Sequence, residues 1–151
     1  MSGIELNGDK SVEDVLSSAG IYASVTKGYS MYPMLRSGRD VVYIIPLENK
    51  PKMHDVILFR TGEKYVLHRI IKITDKGYIT RGDNNFFKEY VPAEAVIGVL
   101  IRYFKNGKNY ATDTLRQRTY ARYLRISYPL RFVLRKTRNL LGKIKRKLIK
   151  K

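Results

Sequence analysis

The sequence predicts a mainly β fold with antiparallel strands, a short N-terminal helix and a C-terminal basic amphipathic helical tail. Three observations predict it. Short apolar runs rich in β-branched residues recur between residues 21 and 103. Turn residues separate these runs at close spacing, which is typical of an antiparallel sheet. Beyond residue 113, aliphatic residues recur at three- and four-residue steps among arginines and lysines, which indicates an amphipathic helix.

The first element is a helix that begins after Ser11. Ser11 with Asp14 three residues later forms a capping arrangement, and Val12, Val15 and Leu16 follow at helical spacing. Gly20 is expected to end this helix. Residues 1–10 are polar and are interpreted as a frayed lead-in.

Six strands are predicted after the helix. They cover Ile21–Thr26, Val41–Ile45, Asp55–Arg60, Tyr65–Thr74, Tyr78–Thr80 and Val96–Tyr103. Two turns, at residues 61–64 and 75–77, contain the glycines that hairpins need, so the strands on either side of each are expected to pair.

The tail differs in kind from the rest of the chain. Asp113 or Thr114 is a candidate N-cap for a helix that begins at Leu115, and the segment 127–129 (Ser-Tyr-Pro) predicts a break. A second helix is expected to begin at Pro129, weakened by Gly142. Its aliphatic stripe is predicted to consist of Leu130, Val133, Leu134, Leu140, Leu141, Ile144 and Leu148.

Charge is concentrated in that tail. Residues 114–151 hold 14 of the 30 Lys and Arg residues and none of the 13 Asp and Glu residues, while the whole chain of 151 residues carries a net charge of +17. An anionic partner, either a membrane surface or nucleic acid, is therefore expected for the tail. Three segments follow: residues 1–20 as lead-in and helix, 21–112 as the main domain, and 113–151 as the basic tail.

Several classes of site and location are disfavoured. The chain has no cysteine and only two histidines, without metal-ligand spacing, so neither a metal site nor a cofactor is predicted. No run of about 18 apolar residues and no signal-peptide pattern is present, so a cytoplasmic location without a spanning helix is expected.

The candidate chemistry centres on segment 28–33 (Gly-Tyr-Ser-Met-Tyr-Pro), which lies between two predicted strands. Ser30 needs a general base to act as a nucleophile at neutral pH, and His68, inside an apolar strand, is the candidate. From spacing alone, a structural histidine in the core is the more frequent explanation. Asp83 or Glu89 is the candidate carboxylate that would orient the imidazole, although a tight turn and an exposed glutamate explain them equally well.

Four segments in this order resemble the type-I signal peptidase superfamily. They are 28–33 followed by the pair Gly38 and Asp40, then 54–57 (His-Asp-Val-Ile), 68–70 (His-Arg-Ile) and 80–85 (Thr-Arg-Gly-Asp-Asn-Asn). The His-Arg-Ile segment is similar to the endoplasmic-reticulum and archaeal branch, which uses histidine where most bacterial members use lysine. The resemblance covers about residues 22–103.

The resemblance implies a serine endopeptidase with an antiparallel, signal-peptidase-like β fold, in which residues 21–112 would be the catalytic domain. Ser30 would attack a peptide carbonyl, His68 would transfer the proton, and a backbone N–H at Ser30 would help to hold the oxyanion. The position of the branch's third catalytic residue aligns with Glu89. Three features depart from the family: glutamate at that position, Gly28 where many members have a hydroxyl, and the lack of a spanning anchor.

The function expected from these segments is cleavage of a leader or precursor peptide by an enzyme held peripherally at the cytoplasmic face of a membrane. The basic tail would bind the anionic lipids there. Two alternatives remain open: a catalytically inactive homologue that binds peptide or membrane, and a nucleic-acid-binding protein. The aliphatic stripe of the tail disfavours the second, because phosphate contacts alone do not require it.

Overall fold

The computed structural model describes the backbone of residues 11–149 and the side chains of that range except residues 139, 140 and 142–149. Two helices, α1 (Val12–Ala19) and α2 (Leu115–Ile149), flank the strands in sequence. The strands are β1 (Tyr22–Val25), β2 (Val41–Pro46), β3 (Val56–Thr61), β4 (Lys64–Thr74), β5 (Gly77–Arg81), β6 (Glu89–Pro92), β7 (Val96–Lys105) and β8 (Lys108–Ala111). The predicted lead-in, residues 1–10, lies outside the described residues.

The strands form one antiparallel sheet, which confirms the predicted fold class. Their order is β1-β2-β7-β3-β4-β5-β6, and β8 pairs with β7. The sheet places β3 and β4 near its middle, where Ile57 lies opposite His68. The side chains of Ile57 and His68 are both fully buried there.

Helix α1 follows its predicted capping residues. The hydroxyl of Ser11 accepts a hydrogen bond from the backbone N–H of Asp14, and the carboxylate of Asp14 accepts one from the N–H of Ser11. Val12 and Leu16 are buried, and the helix ends at Gly20 with φ +69°. The helix therefore satisfies its first backbone donors itself and places one apolar face inward.

Two strands were missed by the sequence prediction. Strand β6 is only four residues long and ends in Pro92, so its pattern is weak. Strand β8 follows a two-residue turn, Asn106 and Gly107, which have φ +52° and +75°. An Asn-Gly pair favours that conformation strongly, so the signal for the β7–β8 hairpin was present in the sequence.

The predicted break at residues 127–129 is wrong. Helix α2 continues without interruption through Pro129. Proline removes the N–H that would donate to the carbonyl of Arg125. The guanidinium of Arg131 donates to a different carbonyl, that of Leu124, five residues before the proline (3.1 Å). At the N-terminus of α2, the hydroxyl of Thr114, one of the two predicted caps, accepts a hydrogen bond from the N–H of Gln117 (3.3 Å).

The chain divides into two compact units after Arg118, within helix α2. The first unit contains α1 and the sheet. Residues Leu140, Ile144 and Leu148 of the predicted stripe have side chains outside the described set. Among the helices described, none is both long and apolar enough to cross a membrane.

Candidate active site

The loop between β1 and β2 carries Ser30 and is fixed by its own backbone. The N–H of Tyr32 donates to the carbonyl of Tyr29 (3.2 Å), and the N–H of Leu35 donates to the carbonyl of Met31 (2.9 Å). Met31 is 1% exposed and anchors the loop in the core, while Ser30 is 3% exposed. Ser30 thus lies on a short turn that is held by these backbone hydrogen bonds and by the buried side chain of Met31.

Gly28, two residues before Ser30, has φ +83°. That conformation favours glycine, because a side chain there would be strained. Its N–H donates to the hydroxyl of Ser37 (3.0 Å). The hydroxyl that many family members carry at this position therefore has no counterpart on residue 28.

His68 lies on β4 and is fully buried. Its ring packs beside Phe59, with the ring centroids 6.0 Å apart at an interplanar angle of 60°. Its burial beside Phe59 shields the imidazole from bulk solvent.

Both ring nitrogens of His68 have side-chain partners. Nε2 lies 3.0 Å from Oγ of Ser30, and Nδ1 lies 2.7 Å from Oε2 of Glu89. An ionised carboxylate only accepts hydrogen bonds, so Nδ1 carries the proton and donates to Glu89. The lone pair of Nε2 is then directed at the serine hydroxyl, as a general base requires.

Burial and the carboxylate act on the pKa of His68 in opposite directions. Burial lowers the pKa and is the larger effect, whereas the charge of Glu89 and its hydrogen bond raise it; the net pKa lies below the ordinary 6.5. His68 is therefore neutral at pH 7 and can accept a proton. The side chain of Glu89 is 24% exposed, so the carboxylate keeps contact with solvent while it holds the ring.

Asp83, the other candidate carboxylate, binds a different residue. Its two oxygens accept from Nε and Nη2 of Arg69 at 2.8 Å and 2.9 Å. Nη1 of Arg69 also donates to the carbonyl of His54 (2.9 Å). Ser30, His68 and Glu89 are thus brought together, whereas Asp83 forms a buried ion pair beside them.

The loop after β5 packs directly against the nucleophile turn. A Cβ at Gly82 would lie 2.7 Å from the carbonyl oxygen of Ser30 and 2.9 Å from its Cβ. Asn84 donates to the carbonyl of Ser30 through its N–H (2.7 Å) and to that of Tyr29 through Nδ2 (3.2 Å). The glycine allows this approach, and the asparagine fixes the distance between the two loops.

Two residues at the site were missed by the sequence prediction. Arg69 was quoted only as part of a motif, and its position beside the candidate base was the available signal. Lys105, at the end of β7, donates to the carbonyls of Pro33 and Met34, with 2.9 Å to the second. The sequence gives no signal that a lysine at a strand end binds these two carbonyls, because its partners are 71 and 72 residues away.

His54 occupies the position where the resembled family has glycine. Its φ is +78°, the left-handed conformation that glycine adopts most readily. The backbone of this position therefore keeps a glycine-like conformation although its side chain is different.

No group of three or more potential metal ligands occurs among the described residues. No protein-family model matches the chain, and searches of curated proteins and of solved structures find no match either. The likeness to signal peptidases rests on the four sequence segments.

Proposed function

We propose that the protein is a serine endopeptidase that cleaves a leader or precursor peptide. One observation carries the proposal: the continuous hydrogen-bonded series from Ser30 Oγ through the His68 ring to Glu89, with distances of 3.0 Å and 2.7 Å. A nucleophile, a base and a carboxylate in this order are the parts that acyl transfer needs.

The reaction follows from the protonation states. Ser30 Oγ attacks the carbonyl carbon of the substrate while its proton moves to Nε2 of His68. Glu89 stabilises the imidazolium, and backbone N–H groups of the Ser30 loop receive the oxyanion. The intermediate collapses as Nε2 gives its proton to the leaving amine, and a water molecule activated by His68 then hydrolyses the acyl-enzyme.

The substrate in this proposal is an extended peptide segment. Strand β1 stands at one end of the strand order and leads into the Ser30 loop, so a peptide that pairs with its outer edge would run toward the serine. The same proposal locates the enzyme at the cytoplasmic face of a membrane, where anionic lipids attract its basic tail.

Cleavage of co-expressed candidate precursors tests the proposal. Wild type is expected to shorten at least one precursor, and Ser30→Ala is expected to leave it intact. Ser18→Ala serves as the matched control, because Ser18 is exposed on α1 and donates only to backbone carbonyls there. If the wild type and Ser30→Ala leave every precursor equally intact, an inactive, peptide-binding homologue becomes the better description.

A further inference from the structure

Helix α2 beyond residue 118 presents a continuous stripe of exposed apolar side chains. They are between 55% and 78% exposed: Tyr123, Ile126, Leu130, Val133, Leu134 and Leu141. Steps of three and four residues keep these side chains within an arc of roughly 100° around the helix. Thr137 also lies on this arc, and its hydroxyl donates to the carbonyl of Leu134 (2.9 Å), so its polar group is satisfied within the helix.

The continuity of the helix through Pro129 decides the length of this stripe. A break there would turn the segments before and after the proline independently, and their apolar faces would have no fixed relation. Because the helix is unbroken, Tyr123 and Ile126 share one face with Leu130 and the residues that follow. The stripe therefore extends over about five helical turns.

The cations of this segment lie off the stripe. The Arg and Lys residues with described side chains are Arg122, Arg125, Arg131, Arg135, Lys136 and Arg138. At about 100° per residue, all of them project from the other faces of the helix. No aspartate or glutamate occurs after Asp113, so the segment has no internal countercharge.

This distribution of charge discriminates between three possible occupants. Pairing with a second copy of the helix would cover the stripe, but it would set cations beside cations with no acidic side chain to offset them. Nucleic acid would neutralise the cations and leave the stripe in water. An anionic lipid surface satisfies both features, because the apolar side chains enter the acyl-chain boundary while the cations meet the headgroups.

We propose that α2 beyond Arg118 is an interfacial helix that lies in the plane of an anionic bilayer, with the stripe from Tyr123 to Leu141 facing the acyl chains. The proposal deepens the membrane location proposed above, on which it rests, and it does not require the peptidase activity. It specifies the membrane-binding surface residue by residue.

Co-sedimentation of the full chain with vesicles tests the surface. Vesicles of phosphatidylglycerol and phosphatidylcholine are expected to bind the protein. Vesicles of pure phosphatidylcholine are expected to bind it at least about tenfold more weakly, since their headgroups do not attract the cations of the helix. Binding is expected to fall as salt is raised.

A matched pair of substitutions separates the stripe from general hydrophobicity. Leu130→Asn is expected to weaken binding by about tenfold or more, because the aliphatic side chain that would enter the acyl-chain boundary is lost. Phe132→Asn also removes an exposed apolar side chain, but Phe132 lies off the stripe, so binding is expected to change less than about threefold. Circular dichroism of both variants checks that the helix persists.

Three results would overturn the proposal. One is equal binding to neutral and anionic vesicles, and another is an equal effect of the two substitutions. The third is a Leu130-dependent dimer in sedimentation velocity without vesicle binding, which would assign the stripe to a second copy. Failure of the peptidase proposal leaves these readouts unchanged, because Ser30→Ala is expected to bind vesicles like wild type.

Discussion

Two neighbouring residues of β4 each bind a carboxylate, and the two pairs differ in what they can do. His68 makes one hydrogen bond to Glu89, whose side chain is 24% exposed. Arg69 makes a two-point contact with Asp83, and both side chains are at most 5% exposed. An imidazole can gain and lose a proton near neutral pH, whereas a guanidinium cannot.

This difference gives the two pairs different roles, one in the proposed reaction and one in the stability of the fold. The pair that contains Glu89 ends on Ser30 Oγ and can transfer a proton. The pair that contains Asp83 joins the loop of residues 82–85 to β4 through Arg69, which also donates to the carbonyl of His54. Changes to the first pair are expected to affect the rate, and changes to the second are expected to affect stability.

The largest expected effect comes from Glu89→Gln. The amide keeps the shape of the side chain but no longer stabilises the imidazolium, so kcat is expected to fall by about 10⁴-fold. The free energy of unfolding is expected to change by less than about 1 kcal/mol, since the position is partly exposed. Turnover of a cleaved precursor and urea denaturation measure the two quantities. A large loss of stability with normal turnover would reverse the assignment.

Asp83→Ala is expected to act on stability instead. It leaves the Arg69 guanidinium buried without its carboxylate, which costs about 3–5 kcal/mol in comparable buried pairs. Asp75→Ala is the control, because Asp75 lies in the exposed turn between β4 and β5, and a change of about 0.5 kcal/mol or less is expected. Urea denaturation compares them, and equal midpoints for the two variants would contradict a supporting role for Asp83.

Gly82→Ala tests the contact between the two loops. Its new Cβ would meet the carbonyl oxygen of Ser30 at 2.7 Å, so the loops must separate. The expected cost is about 1–3 kcal/mol of stability, together with a fall in kcat, because Ser30 is displaced from His68. Thermal unfolding and turnover measure both effects. Unchanged values would show that the loops do not need this close approach.

The smallest expected effect, and the most specific one, is a shift in the pH dependence of kcat/KM. Because burial lowers the pKa of His68, the acid limb of kcat/KM is expected to have its midpoint below pH 6.5. Glu89 raises that pKa, so the residual activity of Glu89→Gln should have its midpoint at a still lower pH. A midpoint above 6.5 in the wild type, or an upward shift in the variant, would contradict this balance.

The lowered pKa of His68 also makes the stability of the fold depend on pH. The unfolded chain binds a proton at His68 below about pH 6.5, while the folded chain resists it. The contribution of this group to stability is therefore complete above pH 6.5 and is lost as the pH falls from there toward the folded pKa. Urea denaturation at several pH values should show a smaller dependence in His68→Gln than in wild type.

The sheet was largely predictable because its strands alternate with strong turn signals. The contact between Ser30 and His68 was not predictable, since it joins residues that are 38 positions apart in the sequence. The local patterns of Glu89 and Asp83 could not distinguish them as the third catalytic residue, and only the resemblance to signal peptidases favoured Glu89. Three-dimensional packing places Asp83 beside Arg69, and it places Glu89 on the short edge strand β6, which has too few residues to give a pattern.

The basic amphipathic helix of the tail was predictable from the sequence, but its continuation through Pro129 was not. Its charge and its three- and four-residue steps indicated a basic amphipathic helix. The proline rule predicted a break, because Pro129 removes a backbone hydrogen bond and favours a helix start. The helix nevertheless continues through Pro129 from Leu115 to Ile149.

Activation of Ser30 by His68 can be tested directly on the protein. Reaction with a fluorophosphonate, followed by mass spectrometry of the modified peptide, measures this without knowledge of the substrate. We expect modification at Ser30 in wild type, abolished in Ser30→Ala and slowed by several orders of magnitude in His68→Ala. Modification spread over other serines, or a rate at Ser30 that does not depend on His68, would contradict it.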